Sequence, residues 1–397
     1  MNLSQAQEIL QRVFDPMSLD TFLDDVLDKR FIKLEGKTNK YGRQGFLGED
    51  PASTLLNAFA VLAPKITSHA AVPLGPAPVS EPLPNASAFR TKIEAFHARG
   101  YTVRLPELRA LTPELNQLIR ALEFFFYAPV GVEAFWSRSD AKAPIHHDDY
   151  DIIVIQLRGQ KRWFISTDIS ELPNVWKATV GQPRLDRSAE VVVEPGDLLY
   201  LPRGTTHRVD GIAESIHLSI GFVPLTLREA IIACLDQVAD LNRPLREVVG
   251  GRISEQLQSS NYGNLPERVR EGLALVMDKS KSDALFAEAV QRRASRIVGG
   301  LSKLGMPAKR ATLTASTVVR HNPVGVAHLS DYAGKIDFAY PGGHHYIHSG
   351  VEPSVRFIAA TPQFRIRDIP GAVGDDVRIA LVDKFVSSGF LEVVEGS

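Results

Sequence analysis

Between residues 130 and 222 the chain runs in short segments: Val132–Ser137, Asp151–Leu157, Arg162–Ser166, Glu190–Val193, Leu198–Leu201 and Ile216–Phe222. Each is rich in β-branched or aromatic residues, and glycine or proline separates most of them. Runs of this length and composition are strands. No helical pattern of roughly 10–15 residues alternates with them, so a parallel α/β sheet is disfavoured and an all-β sandwich or barrel is predicted.

The flanking sequence has a helical period instead. Ser4 to Phe14 reads as a helix stopped by Pro16, and Ser18 caps a second carrying Leu19, Phe22, Leu23, Val26 and Leu27 at helical spacing. A proline-rich loop follows at Val72–Pro84. Helices resume at Ala88–Arg99 and after Thr112, where Pro113 suits the first helical position. Beyond Phe222, helices are predicted at Leu227–Leu241, Glu267–Met277 and Ser282–Leu301. From residue 311 the pattern is mixed: a strand at Phe364–Ile366, a helix at Asp375–Ser388 capped by Gly389, and a strand at Phe390–Val394. That order is winged-helix-like. The expected division is an N-terminal helical region with the proline-rich loop (1–88), a mainly β domain (89–225), a helical domain (226–310) and a winged-helix-like α+β domain (311–397).

A formal net charge of −1 gives no strong field toward nucleic acid or an anionic membrane. No run approaches the roughly 18 apolar residues of a membrane span. Cys234 is the single cysteine, so no intrachain disulfide can form, which fits a reducing cytoplasm. The first sixteen residues lack the apolar core of a signal peptide.

Chemistry concentrates in two segments of the β region. In Ala143-Pro-Ile-His146-His147-Asp148-Asp149-Tyr150-Asp151, His146 and Asp148 stand two apart. On a strand they face the same side, and His147, on the other face, is read as structural or near the rim and not as a ligand. About sixty residues later, Glu194-Pro-Gly-Asp-Leu-Leu-Tyr-Leu-Pro-Arg-Gly-Thr-Thr-His207 reads as turn, buried strand, turn and a histidine opening the next strand. Two histidines and one carboxylate can hold one face of a metal and leave the other open, as in the non-haem Fe(II) oxygenases.

Arg158-Gly159-Gln160 turns one strand into the next, which begins Lys161-Arg162-Trp163-Phe164-Ile165. Lys161, Trp163 and Ile165 share a face, and Arg162 and Phe164 share the other. Either basic residue could reach inward to a dicarboxylate. Lys161 is preferred because it lies on the face of Trp163, yet a buried ammonium without an anion is costly. Phe135 and Trp136 are candidate pocket residues, although aromatics on strands are more often core. The histidine-dense Gly342–His348 reads as a polar loop, with a second metal site at His345 and His348 as the sharper alternative. Arg292, Arg293 and Arg296 read as a solvated helix face.

His146-x-Asp148-x-Tyr150-Asp151, then Gln156, Gly159, Lys161 and Trp163, then Gly196-Asp197-x-x-Tyr200-x-Pro202-x-Gly204-x-x-His207 resembles the JmjC oxygenases, and within them the ribosomal oxygenase branch. His217-Leu218-Ser219 on the closing strand resembles that branch too. The resemblance covers residues 130–222 by motif and the rest by layout. It implies a double-stranded β-helix (jelly-roll) catalytic core, with Fe(II) held by His146, Asp148 and His207. It further implies 2-oxoglutarate as co-substrate with its distal carboxylate on Lys161, Tyr150, His217 and Ser219 bordering that site, and O2 as oxidant. Succinate and CO2 would be released. A protein or peptide substrate is expected, a ribosomal protein among the candidates, with a homodimer formed through the helical domain. No membrane and no direct nucleic-acid partner is expected. Two other readings stay open: hydroxylation of a small molecule or biosynthetic peptide, and a cupin-like protein that holds a metal without turnover.

Overall fold

A computed structural model describes residues 1–70, 83–173, 177–178, 185–249, 253–305, 312–332 and 334–394. The proline-rich segment predicted at Val72–Pro84 lies outside them but for its last two residues. The chain divides into two compact units, Met1–Val223 and Pro224–Ser397. No helix among the described residues is long and apolar enough to cross a membrane.

In the first unit, strands β1 (Ile32–Leu34), β2 (Thr67–His69), β3 (Thr102–Pro106) and β4 (Val130–Ser137) come first. They are followed by β5 (His146–His147), β6 (Asp151–Arg158), β7 (Lys161–Ser166) and β8 (Lys177–Ala178). The last are β9 (Ser188–Val193), β10 (Leu198–Leu201), β11 (His207–Gly211) and β12 (Ser215–Phe222). They build a seven-stranded sheet, β1-β10-β6-β12-β4-β3-β2, and a five-stranded sheet, β8-β5-β11-β7-β9. From β4 onward the chain passes back and forth between the two: β4, β6, β10 and β12 lie in the larger, β5, β7, β9 and β11 in the smaller. It winds as a double-stranded β-helix.

β6 explains why its sequence does not alternate. It lies inside the larger sheet between β10 and β12, and both its faces are covered. Ile152 and Val154 join Trp163, Ile165, Val193, Leu199 and Leu201 in the core between the sheets. The other face packs on helices: Phe22 stands edge-on to Tyr200 at 5.0 Å, and Phe126 stacks on Phe222 at 4.9 Å. Full burial of each such side chain contributes about 1.5–3 kcal/mol. The helices start where their caps are. Ser18 and Thr112 accept from the backbone N–H groups of Thr21 and Leu115, and Pro113 occupies the first turn.

The second unit opens with helices Leu227–Leu241, Ile253–Ser259, Leu265–Lys279 and Asp283–Gly300. The arginines of the last helix are not a free solvated face. Arg292, Arg293 and Arg296 pair with Asp240, Glu229 and Asp236 of the facing helix Leu227–Leu241. Strands β13 (Val318–His321), β14 (His328–Tyr332), β15 (Lys335–Tyr340), β16 (Gly343–His348), β17 (Gln363–Arg365) and β18 (Leu391–Val393) follow. They form two antiparallel three-stranded sheets, β14-β15-β16 and β17-β13-β18. The helix Asp375–Ser387 lays Val382 and Phe385 into a core with Val319, Phe338 and Phe390. The histidine-dense stretch predicted as a loop is β16, paired along its length with β15. Its alternation was masked because the polar positions on both faces are histidines.

Candidate metal centre and its cavity

His146 begins β5 and His207 begins β11, and the two stand opposite each other in the antiparallel pairing of those strands. Their ring centroids lie 4.3 Å apart. β5 ends at His147, so Asp148 is carried by the turn beyond it, not by the strand its spacing suggests. That turn is tied down: the Gly204 N–H donates to the Asp148 carbonyl at 2.7 Å, joining it to the turn that precedes His207. The ligand atoms of His146, Asp148 and His207 all lie within 4.8 Å of one another. His207 Nε2 is 3.9 Å from Asp148 Oδ2, a gap that one ion with bonds of about 2.1 Å can bridge. Among the described residues no other group of three such side chains could hold an ion, and His345 and His348 belong to none.

The histidines are set for coordination by their other nitrogens. His146 Nδ1 is 2.8 Å from the Pro144 carbonyl, and His207 Nδ1 is 2.9 Å from the Thr205 carbonyl. A carbonyl only accepts, so each Nδ1 carries the proton and each Nε2 presents a lone pair. Burial pushes the Asp148 carboxyl up and the His207 imidazolium well down. A cation among them favours the carboxylate, and the neutral imidazole is the form that binds it. The donor set, two neutral imidazoles and one carboxylate, fits a facial Fe(II) site.

The three side chains border a cavity of about 380 Å³. Strand alternation on β7 decides between the two basic candidates. Arg162 points outward and pairs with Glu190 at 2.9 Å. Lys161 points into the cavity and is 3% exposed. Burial alone pulls its ammonium from 10.5 down to about 7. Among the described residues no carboxylate stands at ion-pair distance from it. A buried ammonium in that state is a strong attractor for an anionic ligand.

His217 and Trp163 share this cavity. His217 stacks on Phe135 at 5.1 Å and 17°. Burial, then the charge of Lys161, holds it neutral. Its Nδ1 and the Trp163 Nε1 are buried without a hydrogen-bond partner among the described residues, so both are available to a polar ligand. Tyr150 and Ser219 line the cavity further along and also border an outer pocket of about 470 Å³. Burial raises the Tyr150 phenol, which stays protonated. Phe135 faces the cavity, but Trp136 does not: as the next residue of β4 it points to the opposite face, where its Nε1 donates to Glu214 at 3.0 Å. Asp197 orders the turn before Leu198, accepting from the N–H groups of Gly36 and Glu194 and pairing with Lys33 at 2.9 Å.

Three cavity residues carried no signal in the motifs. His69 lies with its ring 5.5 Å from that of His146, and burial takes it down to about 4. Arg104 forms a two-pronged ion pair with Glu133. His69 and Arg104 arrive on β2 and β3, which extend the larger sheet past β4. No spacing relative to His146 announces them.

Comparison with known proteins fits this geometry. Residues 107–230 match the sequence profile of the JmjC domain. The chain is 32% identical over 142 residues to a bifunctional lysine-specific demethylase and histidyl-hydroxylase NO66 of Drosophila persimilis, covering 34% of this chain and 20% of that protein. It is 31% identical over 133 residues to ribosomal oxygenase 2 of Rattus norvegicus, covering 32% of this chain and 28% of that one. In both, the match spans less than a third of the relative's length. Among solved structures, the Escherichia coli ribosomal oxygenase YcfD superposes with a TM-score of 0.53 at 17% identity, covering 95% of this chain and 98% of that one. A structure of the same protein with cobalt and 2-oxoglutarate gives 0.54. At that identity the likeness is one of fold.

Proposed function

We propose that this chain, which carries a JmjC domain at residues 107–230, is an Fe(II)- and 2-oxoglutarate-dependent dioxygenase that hydroxylates a side chain of a protein or peptide. One observation carries the reading: a histidine–carboxylate–histidine cluster shares its cavity with a buried lysine that has no counter-charge among the described residues. A dicarboxylate that chelates the metal at one end and meets Lys161 at the other satisfies both.

In this reading His146, Asp148 and His207 hold the iron, and the backbone carbonyls of Pro144 and Thr205 hold the two imidazoles in their binding tautomer. Lys161 pairs with the distal carboxylate. The unpartnered groups of Trp163 and His217 lie beside it to orient the co-substrate, and Tyr150 and Ser219 border its path. Iron with 2-oxoglutarate supplies oxygen activation: one atom of O2 ends in succinate, the other in the hydroxylated substrate, and CO2 leaves. The chain contributes position and exclusion of water, and no side-chain acid or base is assigned.

The relatives named as ribosomal oxygenases support a ribosomal protein as substrate. A cytoplasmic setting goes with that substrate. A homodimer is supported by exposed apolar side chains in the helical region 226–310, among them Leu227, Ile231, Leu273 and Met277. The helices and short strands of 311–397 are read as a winged-helix-type domain.

The test is succinate production from 2-oxoglutarate by the purified protein with Fe(II), together with a mass increase of one oxygen on ribosomal proteins. Metal binding without succinate would leave a non-catalytic cupin-like protein. Succinate with oxygen incorporated only into small molecules would replace the protein substrate.

A further inference from the structure

We propose that the open position of the larger sheet at Gly131, beside the Tyr150 ring that covers Gly221, seats an extended peptide segment of the substrate, with an apolar residue next to the one hydroxylated. This rests on the oxygenase reading and gives its substrate a shape.

β4 and β12 pair with Phe135 opposite His217, Glu133 opposite Ser219 and Gly131 opposite Gly221. Alternation puts all six on the cavity face. The wall is therefore built in three rows. The aromatic row lies beside the metal ligands, the polar row comes next, and the last row has no side chains. The inner cavity of about 380 Å³ takes in the first two rows, and the outer pocket of about 470 Å³ the second and third. Arg104, Glu133, Tyr150 and Ser219 line both spaces.

The two glycines have different consequences. A Cβ on Gly221 would stand 2.6 Å from the Tyr150 ring, so that glycine makes room for the tyrosine. A Cβ on Gly131 would meet no atom within 4 Å, and Gly131 is exposed. Among the described residues nothing stands within 4 Å of the space above it. With the Tyr150 ring seated over Gly221, Gly131 is the open position of this row, and a glycine there lets another backbone approach the sheet closely. Beyond them Pro129 and Val223 give the pocket an apolar rim. The inner cavity has room for 2-oxoglutarate and one reacting side chain. A small molecule held at the metal need not extend over the glycine row. A peptide carrying that side chain must run outward along it, placing its neighbouring residue against the rim.

The experiment compares the wild type with Gly131→Ala and Gly131→Leu. Each is given Fe(II), 2-oxoglutarate and a library of synthetic peptides tiling ribosomal proteins, read by the one-oxygen mass shift. The 2-oxoglutarate-induced thermal shift reports whether each variant keeps an intact inner cavity. The expected result is a graded loss, about threefold in kcat/KM for alanine and tenfold or more for leucine, mainly through KM. The peptides modified by the wild type should share an apolar neighbour. If Gly131→Leu modifies peptides with the wild-type KM, or the wild type oxidises only free small molecules, the inference is overturned while the oxygenase reading stands. If the wild type makes no succinate under any condition, the oxygenase reading itself falls. Should leucine abolish the thermal shift, the alanine variant decides.

Discussion

His146 and His207 face each other directly across the β5–β11 pairing, rings 4.3 Å apart, and each has its Nδ1 tied to the carbonyl of the residue two before it. Two segments sixty residues apart thus deliver the same device to one point. A short loop returns each strand onto its own histidine, which settles ring orientation and tautomer before any ion arrives.

Removing one arm of this device should disarm the centre. His207→Ala is expected to lower Fe(II) or Mn(II) affinity at least about 100-fold and to abolish succinate formation with and without substrate. Metal titration by calorimetry and succinate detection measure this. Wild-type metal affinity in the variant would remove His207 from the ligand set.

Lys161 should trade stability for binding. Lys161→Met is expected to weaken 2-oxoglutarate binding about 100-fold, or ~2.7 kcal/mol. It should also raise the melting temperature of the ligand-free protein, since a buried charge without a partner is replaced by an apolar chain of similar length. A variant that binds 2-oxoglutarate normally would show that the distal carboxylate lies elsewhere.

The depressed lysine also predicts a pH dependence. Its pKa falls from 10.5 to about 7 on folding, so between those values the unfolded chain holds the extra proton. The stability contributed by this group is therefore present above pH 10.5 and lost as pH falls through 7. Binding a carboxylate reverses the preference. At pH 8.5 the cavity must take up nearly one proton to bind 2-oxoglutarate, and affinity should fall up to about tenfold per unit above pH 7. Calorimetry in buffers of different ionisation enthalpy reads the proton uptake directly. Zero uptake at pH 8.5 would contradict it.

Gly159 holds the β6–β7 turn that delivers Lys161. Its φ is +64°, and a Cβ there would stand 1.9 Å from the Glu214 carbonyl oxygen. Gly159→Ala should destabilise the protein by about 3 kcal/mol or more, because left-handed backbone strain adds to a backbone collision. Denaturant unfolding gives the number, and a change under 1 kcal/mol would refute the geometry of this turn.

The exposed stripe Val269, Leu273 and Met277, at successive fourth positions of the helix Leu265–Lys279, is where the proposed dimer would be tested. The double substitution Leu273→Glu and Met277→Glu should shift the protein from dimer to monomer in sedimentation, with the thermal shift from 2-oxoglutarate retained. A wild type that sediments as a monomer at tens of micromolar would end the dimer reading.

What the sequence determined by itself was local. Period-two and apolar runs marked the strands, caps marked the helix starts, and His146, Asp148, Lys161 and His207 sat in segments whose turn chemistry made them legible. These signals act within a few residues, so they survive in a one-dimensional reading. The tertiary structure decided what depends on which face a strand shows and which strand lies next to it. It turned Lys161 inward and Arg162 out, sent Trp136 away from the cavity its neighbour Phe135 enters, and brought His69 and Arg104 to the site on added strands. Sheet order and burial are set by the closure of the whole core, and no short segment carries that information.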